Sequence, residues 1–146
     1  MSSCPKLSRA ASTIRCPPSK VDIASTLEKC RQQGTMLPLG NIQANLTRWR
    51  DEYQNASPFP HVVIDNLFDP EILDCILSEF PTPEQQQKWV RFQGKDEFMK
   101  HATINEYQIP FFTRNFLYAL NSDTFLTVLS AITGIPNLIS DMNFEG

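Results

Sequence analysis

The sequence holds two histidines, His61 and His101. Imidazole binds transition metals readily and moves protons near neutral pH, so these two bear on catalysis first. A non-haem iron site needs two histidines and a carboxylate, and here both histidines would have to serve. They stand far apart in the chain. Neither has a carboxylate two residues on, because Val62 and Val63 follow His61, and Ala102 and Thr103 follow His101. The pair is read as ordinary polar side chains rather than as metal ligands. Cys75 is a second candidate, as the thiol of a Cys–His dyad. It falls inside a helical apolar pattern, where burial raises a thiol pKa and leaves it inert. A buried free thiol is the expectation. Lys95, Lys100 and Arg114 are a third candidate, a basic patch for an anion. Asp96, Glu97 and Glu106 offset that charge, which favours a solvated surface. No nucleophile elbow, Walker loop, G-x-G-x-x-G or H-E-x-x-H occurs. No catalytic, cofactor-binding or metal-binding residue is assigned.

The elements that would position such groups can be read from caps and periodicity. His61 to Asp65 encloses Val62, Val63 and Ile64, a β-branched run that suits a buried strand. Asp69 is placed to cap a helix that has Pro70 at its first position. Ile72, Ile76 and Phe80, with Leu73 and Leu77 beside them, predict an apolar face, and Pro81 predicts the stop. Upstream, Val21 to Gln33 predicts a short helix ended by Gly34. Asn41 is read as the cap of a helix reaching about Ala56, with Ile42, Leu46, Trp49 and Tyr53 on one face. Trp49 and Tyr53 are read as packing residues rather than a binding platform. Downstream, Thr82-Pro-Glu-Gln85 matches a capping box. Trp89 to Phe92 predicts a strand, and Gly94 to His101 a polar connection. Pro110 to Leu120 predicts a helix with Phe112, Phe116, Leu117 and Leu120 on one side. Ser122 is the expected cap of a further helix, Asp123 to Thr133, with Phe125, Leu126, Val128, Leu129 and Ile132 apolar. Gly134 should close it in a left-handed cap, with Ile135 folding back. Leu138 and Ile139 begin something extended.

Length and composition bound the rest. One ordinary domain fits in 146 residues. The net charge of −3 and a pI near 5.3 give no basic excess, which argues against nucleic acid as a partner. No apolar run approaches a membrane span. Of the four cysteines, Cys4, Cys16, Cys30 and Cys75, none forms a C-x-x-C pair or a zinc-spaced cluster, so a reducing compartment is the default. Residues 1–36 read as a disordered or weakly helical tail. Its first twenty residues are basic, serine-rich and free of acid, a composition that also suits an organelle transit peptide. The cytoplasm is the expected location, with organelle targeting as the alternative.

Three stretches together resemble iron(II)- and 2-oxoglutarate-dependent oxygenases of the prolyl 4-hydroxylase-like group. The first is Pro58-Phe-Pro-His-Val-Val-Ile-Asp-Asn-Leu-Phe-Asp-Pro-Glu71, followed by the helix ending in Phe80-Pro81. The second is Trp89 with the charged segment from Lys95 to Lys100. The third is Leu120-Asn-Ser-Asp-Thr-Phe-Leu126, then Leu129-Ser-Ala-Ile-Thr-Gly-Ile135 and Leu138-Ile-Ser-Asp141. The resemblance covers residues 41–146. It implies an α+β fold, namely the N-terminal helical layer and first strand or strands of a double-stranded β-helix (jelly roll), incomplete here. It also implies iron and 2-oxoglutarate as cofactors of the full-length family and a hydroxylation substrate of unknown identity. The family's glycine-rich turn, H-x-D pair and cosubstrate ligands would begin where Glu145-Gly146 stands, so none is carried over to this chain. The expectation is an N-terminal oxygenase fragment that binds neither cofactor and is inactive alone. The alternative is a non-enzymatic helical interaction module, or a truncated regulator that pairs with a full-length homologue.

Overall fold

The computed structural model describes residues 21–86, 89–92, 100–103 and 105–141. The helices are α1 (Ile23–Gln33), α2 (Leu39–Asn55), α3 (Pro70–Glu79), α4 (Pro83–Gln86), α5 (Phe111–Leu120) and α6 (Asp123–Thr133). Two short strands, β1 (Val90–Phe92) and β2 (Lys100–Ala102), pair antiparallel with Arg91 opposite His101. This overturns the α+β expectation of a helical layer opening a jelly roll. The described residues are mostly helical, and their β structure is that one two-stranded pairing.

The central correction concerns Val62 to Ile64, which is extended but pairs with no strand among the described residues. Val62 and Ile64 face inward against α2, while Val63 points out and is 73% exposed. The alternation is that of a strand, but helices take the buried side chains in place of a neighbouring sheet. β propensity measures fit to a half-buried pleated surface, and here that surface is built from Ile42, Trp49 and Ile132. The strand at Trp89 to Phe92 does form, from Val90. Its partner β2 begins at Lys100, inside the stretch expected to be a polar connection.

Helix ends follow the local chemistry closely. Asp22 caps α1 by accepting a 3.0 Å bond from the Ser25 amide, and Gly34 closes it at φ 72°. Asp69 caps α3 through the Glu71 amide at 2.9 Å, with Pro70 at the first turn. The capping box around α4 is reciprocal, Thr82 N–H to Gln85 Oε1 at 2.8 Å and Gln85 N–H to Thr82 Oγ1 at 3.4 Å. Ser122 Oγ accepts from the Phe125 amide to start α6, and Gly134 ends it at φ 77°. One start differs from expectation. Helix α2 starts at Leu39 after Pro38, and Asn41 lies within its first turn, accepting a bond from the Asn45 side chain at 2.8 Å. Ile135, placed to fold back on α6, turns its amide to Thr133 Oγ1 at 3.2 Å and stands half out in solvent.

Side chains sort into two apolar clusters. The first joins α1, α3 and α5 through Cys30, Ile72, Cys75, Phe112 and Phe116. Phe68 adds an edge-to-face contact with Phe116, ring centroids 5.0 Å apart. The second joins α2 and α6 through Ile42, Trp49 and Ile132, with Val62, Ile64 and Leu67 against them. Leu67 and Phe68, adjacent in sequence, thus serve different clusters. Asn66, at φ 54°, makes the turn just before them. Phe80 was expected on the buried face of α3. The helix stops at Glu79, and Phe80 leaves in extended geometry, 66% exposed. The stretch read as a weakly helical tail contains α1, which places Thr26 and Cys30 in the interior. Residues 1–20, and with them Cys4 and Cys16, lie outside the described residues, as do residues 93–99 and 142–146.

Candidate functional site

The two histidines are held in different ways. His61 lies in the extended segment after the prolines, exposed, with Nδ1 2.9 Å from the Phe59 carbonyl oxygen. Its ring tilts against that of Phe59 at a centroid distance of 5.3 Å. His101 sits on β2 opposite Arg91. Among the described residues, no group of three His, Cys, Asp or Glu side chains comes together to hold a metal. The described residues thus assign no ligand to the iron that the resemblance implies, and no chemical step is derived through it.

Of the expected basic patch, only the Arg114 side chain lies among the described residues. Arg114, on α5, lays its guanidinium over the Tyr107 ring at 5.1 Å, a cation–π contact. Its Nη1 also donates to the Glu106 carbonyl at 3.5 Å. Tyr118, one turn on, donates its hydroxyl to Glu106 Oε2 at 2.7 Å. That bond holds the Tyr118 pKa above its ordinary value, because the ionised phenol would face a carboxylate. Arg114 thus serves a local aromatic–carboxylate cluster between α5 and the 3-10 turn Glu106–Gln108. Lys95 falls outside the described residues, and Lys100 belongs to β2. Trp49 and Tyr53, the aromatic pair on α2, sit in or against the second cluster, with Trp49 3% exposed. Trp49 is core and the partly buried Tyr53 packs against that cluster, the packing role expected of both.

The thiols behave as expected of buried cysteines. Cys75 is fully enclosed and Cys30 is 8% exposed, and both are free. Burial pushes both pKa values up, and the Thr26 hydroxyl partly opposes the shift at Cys75. Beside them, between α1 and the start of α3, lies a surface cleft of about 230 Å³ lined by Lys29, Cys30, Met36, Asp69, Glu71 and Ile72. A short ion pair from Lys29 to Glu71 spans its edge, with both side chains about half exposed.

One group has a clear task that no local pattern announces. Glu79, at the end of α3, reaches the start of α5. Its Oε1 accepts from the Phe112 amide at 3.2 Å, and its Oε2 accepts from the Thr113 amide and hydroxyl, each at 2.8 Å. Helix α5 begins after Pro110, which has no capping side chain. Its first amides would otherwise go unmet. Glu79 supplies the cap from another helix, where negative charge also meets the positive end of the α5 dipole. The signal available in sequence was the bare Pro110-Phe111 start, which called for a cap from elsewhere.

No family model, curated protein or solved structure matches the chain. Among the described residues no helix is long and apolar enough to cross a membrane.

Proposed function

We propose that this chain is the helical N-terminal part of an iron(II)- and 2-oxoglutarate-dependent oxygenase of the prolyl 4-hydroxylase-like group, and that it does not turn over 2-oxoglutarate by itself. The observation that carries the reading is the order of family-like motifs from Pro58 to Asp141. Several of the residues in those motifs are ones that delimit elements. Asp69 and Pro70 start α3, Phe80 and Pro81 follow its end, Ser122 caps α6, and Gly134 closes it. The inactivity follows from the ligand count, since His61 and His101 are the only histidines and neither lies in an H-x-D motif. The hydroxylation substrate belongs to the remainder of such an enzyme. The cytoplasm is the compartment that fits, because thiols such as Cys30 and Cys75 persist there.

A second reading has its own support. Leu73 and Leu77, one turn apart on α3, and Phe80 just beyond its end are all exposed. That row suits a non-enzymatic interaction module, or a regulator that pairs with a full-length homologue. Two measurements separate the readings. The source message is sequenced through the codon for Gly146, and the purified chain is given ferrous iron and labelled 2-oxoglutarate. The oxygenase reading expects an open frame running into a glycine-rich turn and an H-x-D pair, with no succinate formed by the chain alone. A message that stops there sinks that reading in favour of the interaction module. Succinate formation, or stoichiometric ferrous binding, would refute the inactivity.

A further inference from the structure

Residues 61–64 run extended with no strand beside them among the described residues, and Asp65 opens the turn that follows. Burial alternates through the run. Val62 and Ile64 are half-buried on the α2–α6 cluster, while His61, Val63 and Asp65 are exposed. In extended chain the N–H and C=O of every second residue point to the same edge. Those of His61, Val63 and Asp65 make no backbone hydrogen bond among the described residues. Such an edge is a template for a further strand. Its length is bounded. Pro60 precedes it without an N–H, and Asn66, at φ 54°, turns the chain away after it.

The order of residues says which strand fits. His61-Val62-Val63-Ile64-Asp65 is symmetric about Val63 in character, with a polar residue at each end and three β-branched residues between. Paired antiparallel with a copy of itself about that centre, Val63 meets Val63, Val62 meets Ile64, and His61 meets Asp65. Val62 and Ile64 of both copies keep to the inward face, each over its own helices. A slip of one residue would set inward Val62 beside outward Val63. An in-register parallel pair would set Asp65 against Asp65. The antiparallel register instead puts an imidazole across from a carboxylate at both ends. That is a donor–acceptor pair, and it becomes an ion pair when the ring takes a proton. His61 Nδ1 is already turned to the Phe59 carbonyl, which leaves Nε2 for the carboxylate of the second copy.

We propose that this chain forms a two-fold symmetric dimer by antiparallel pairing of residues 61–65 with the same run of a second copy, with Val63 on the axis. At the centre the two Val63 residues exchange a pair of N–H to C=O bonds. The helices backing each strand lie on the same side of the two-stranded ribbon. One short ladder buries less area than a permanent complex does, so a dissociation constant on the order of 10–100 μM is expected. The pairing concerns the chain as it stands and does not depend on either reading of its function.

The test uses the full chain. Sedimentation equilibrium should give an average mass that climbs from 16.7 kDa toward twice that value as concentration rises. Hydrogen exchange locates the contact. At ten times the dissociation constant about four-fifths of the chains are paired, and the Val63 amide should exchange about fivefold more slowly than in dilute solution. H61D sets two carboxylates opposite each other at both ends of the ladder and should weaken the dimer about tenfold or more. H61D/D65K restores opposite charges and should recover the parent affinity to within about threefold. A chain that stays monomeric at about 1 mM overturns the proposal. So does a dimer in which the Val63 amide exchanges no more slowly than in the monomer. The register is overturned if H61D leaves the dimer unchanged, or if H61D/D65K, folded by circular dichroism, stays as weak as H61D. Mass and exchange are read on the unaltered chain, so the dimer is tested even if a variant fails to fold.

Discussion

Glu79 gives the sharpest test of how the two ends of this structure are joined. Glu79→Ala removes the acceptor of three bonds, from the Phe112 amide, the Thr113 amide and the Thr113 hydroxyl. Capping interactions are each worth about 1 kcal/mol, and hydrogen bonds to a charged acceptor about 1.5–3 kcal/mol. The site is half-buried, so water replaces part of what is lost, and a net destabilisation of about 2 kcal/mol is expected. Glu79→Gln keeps one carbonyl acceptor but loses the charge that faces the helix dipole, and should cost about 1 kcal/mol. Urea titrations followed by circular dichroism read both values. In thermal melts, 2 kcal/mol corresponds to a midpoint lower by roughly 4–8 °C for a chain of this size. Thr113→Val completes a double-mutant cycle with Glu79→Ala, and a coupling of about 1 kcal/mol is expected for the hydroxyl bond. A Glu79→Ala protein within about 0.5 kcal/mol of the parent would refute the reasoning. So would a cycle with no coupling, because the carboxylate would then not be holding α5.

Gly134→Ala should cost about 1 kcal/mol, all of it backbone strain at φ 77°, because an added Cβ meets nothing within 4 Å; a urea midpoint reads it, and no change would mean that α6 ends otherwise. Phe112→Ala empties the most enclosed aromatic site and should destabilise by about 3–5 kcal/mol, to be measured at low temperature where the variant still folds. The buried thiols predict weakness at alkaline pH. Their folded pKa values are raised, so their contribution is fully present below the unfolded thiol value of about 8.5 and is lost as pH rises through the folded values. Urea midpoints in reductant should therefore fall above that pH, and fall less steeply in Cys75→Ala; equal slopes would exclude the thiols as the cause. Asn121 bonds both the amide and the carbonyl of Asp141 through its side chain, so Asn121→Ala should speed exchange of the Asp141 amide about tenfold, equivalent to one lost bond.

What could be read from sequence was whatever is settled within a turn or two of chain. Asp69, Ser122, Gly34 and Gly134 act on amides and carbonyls a few residues away, and the helices they bound were legible for that reason. The face of α2 was legible too, because Ile42 and Trp49 are buried whatever partner covers them. Errors came where a distant partner decides. The run Val62 to Ile64 has strand chemistry, but the neighbour it meets is helical, and nothing local says so. Phe80 continues the helical period, but Pro81 ends the helix one residue earlier and turns the ring to solvent. Asn41 has cap chemistry, yet Pro38, with its preset φ, starts α2 a turn sooner. Glu79 and its bonds to α5 span more than thirty residues of sequence, beyond any periodic pattern. The absence of an assigned site was a statement about donor spacing, and of the expected anion patch the one described side chain, Arg114, is engaged by Tyr107 and Glu106.

The two clusters interleave along the chain, with α1, α3 and α5 in one and α2 and α6 in the other. Between α2 and α3 runs the exposed stretch around Phe59 and Val63, the natural place for a protease to cut. A single cut there would leave α1 and α2 on one piece and α3, α5 and α6 on the other. Each cluster would then have members on both pieces. The nicked protein should migrate as two bands in denaturant yet elute as one particle in native buffer, because neither half can leave without opening both cores at once.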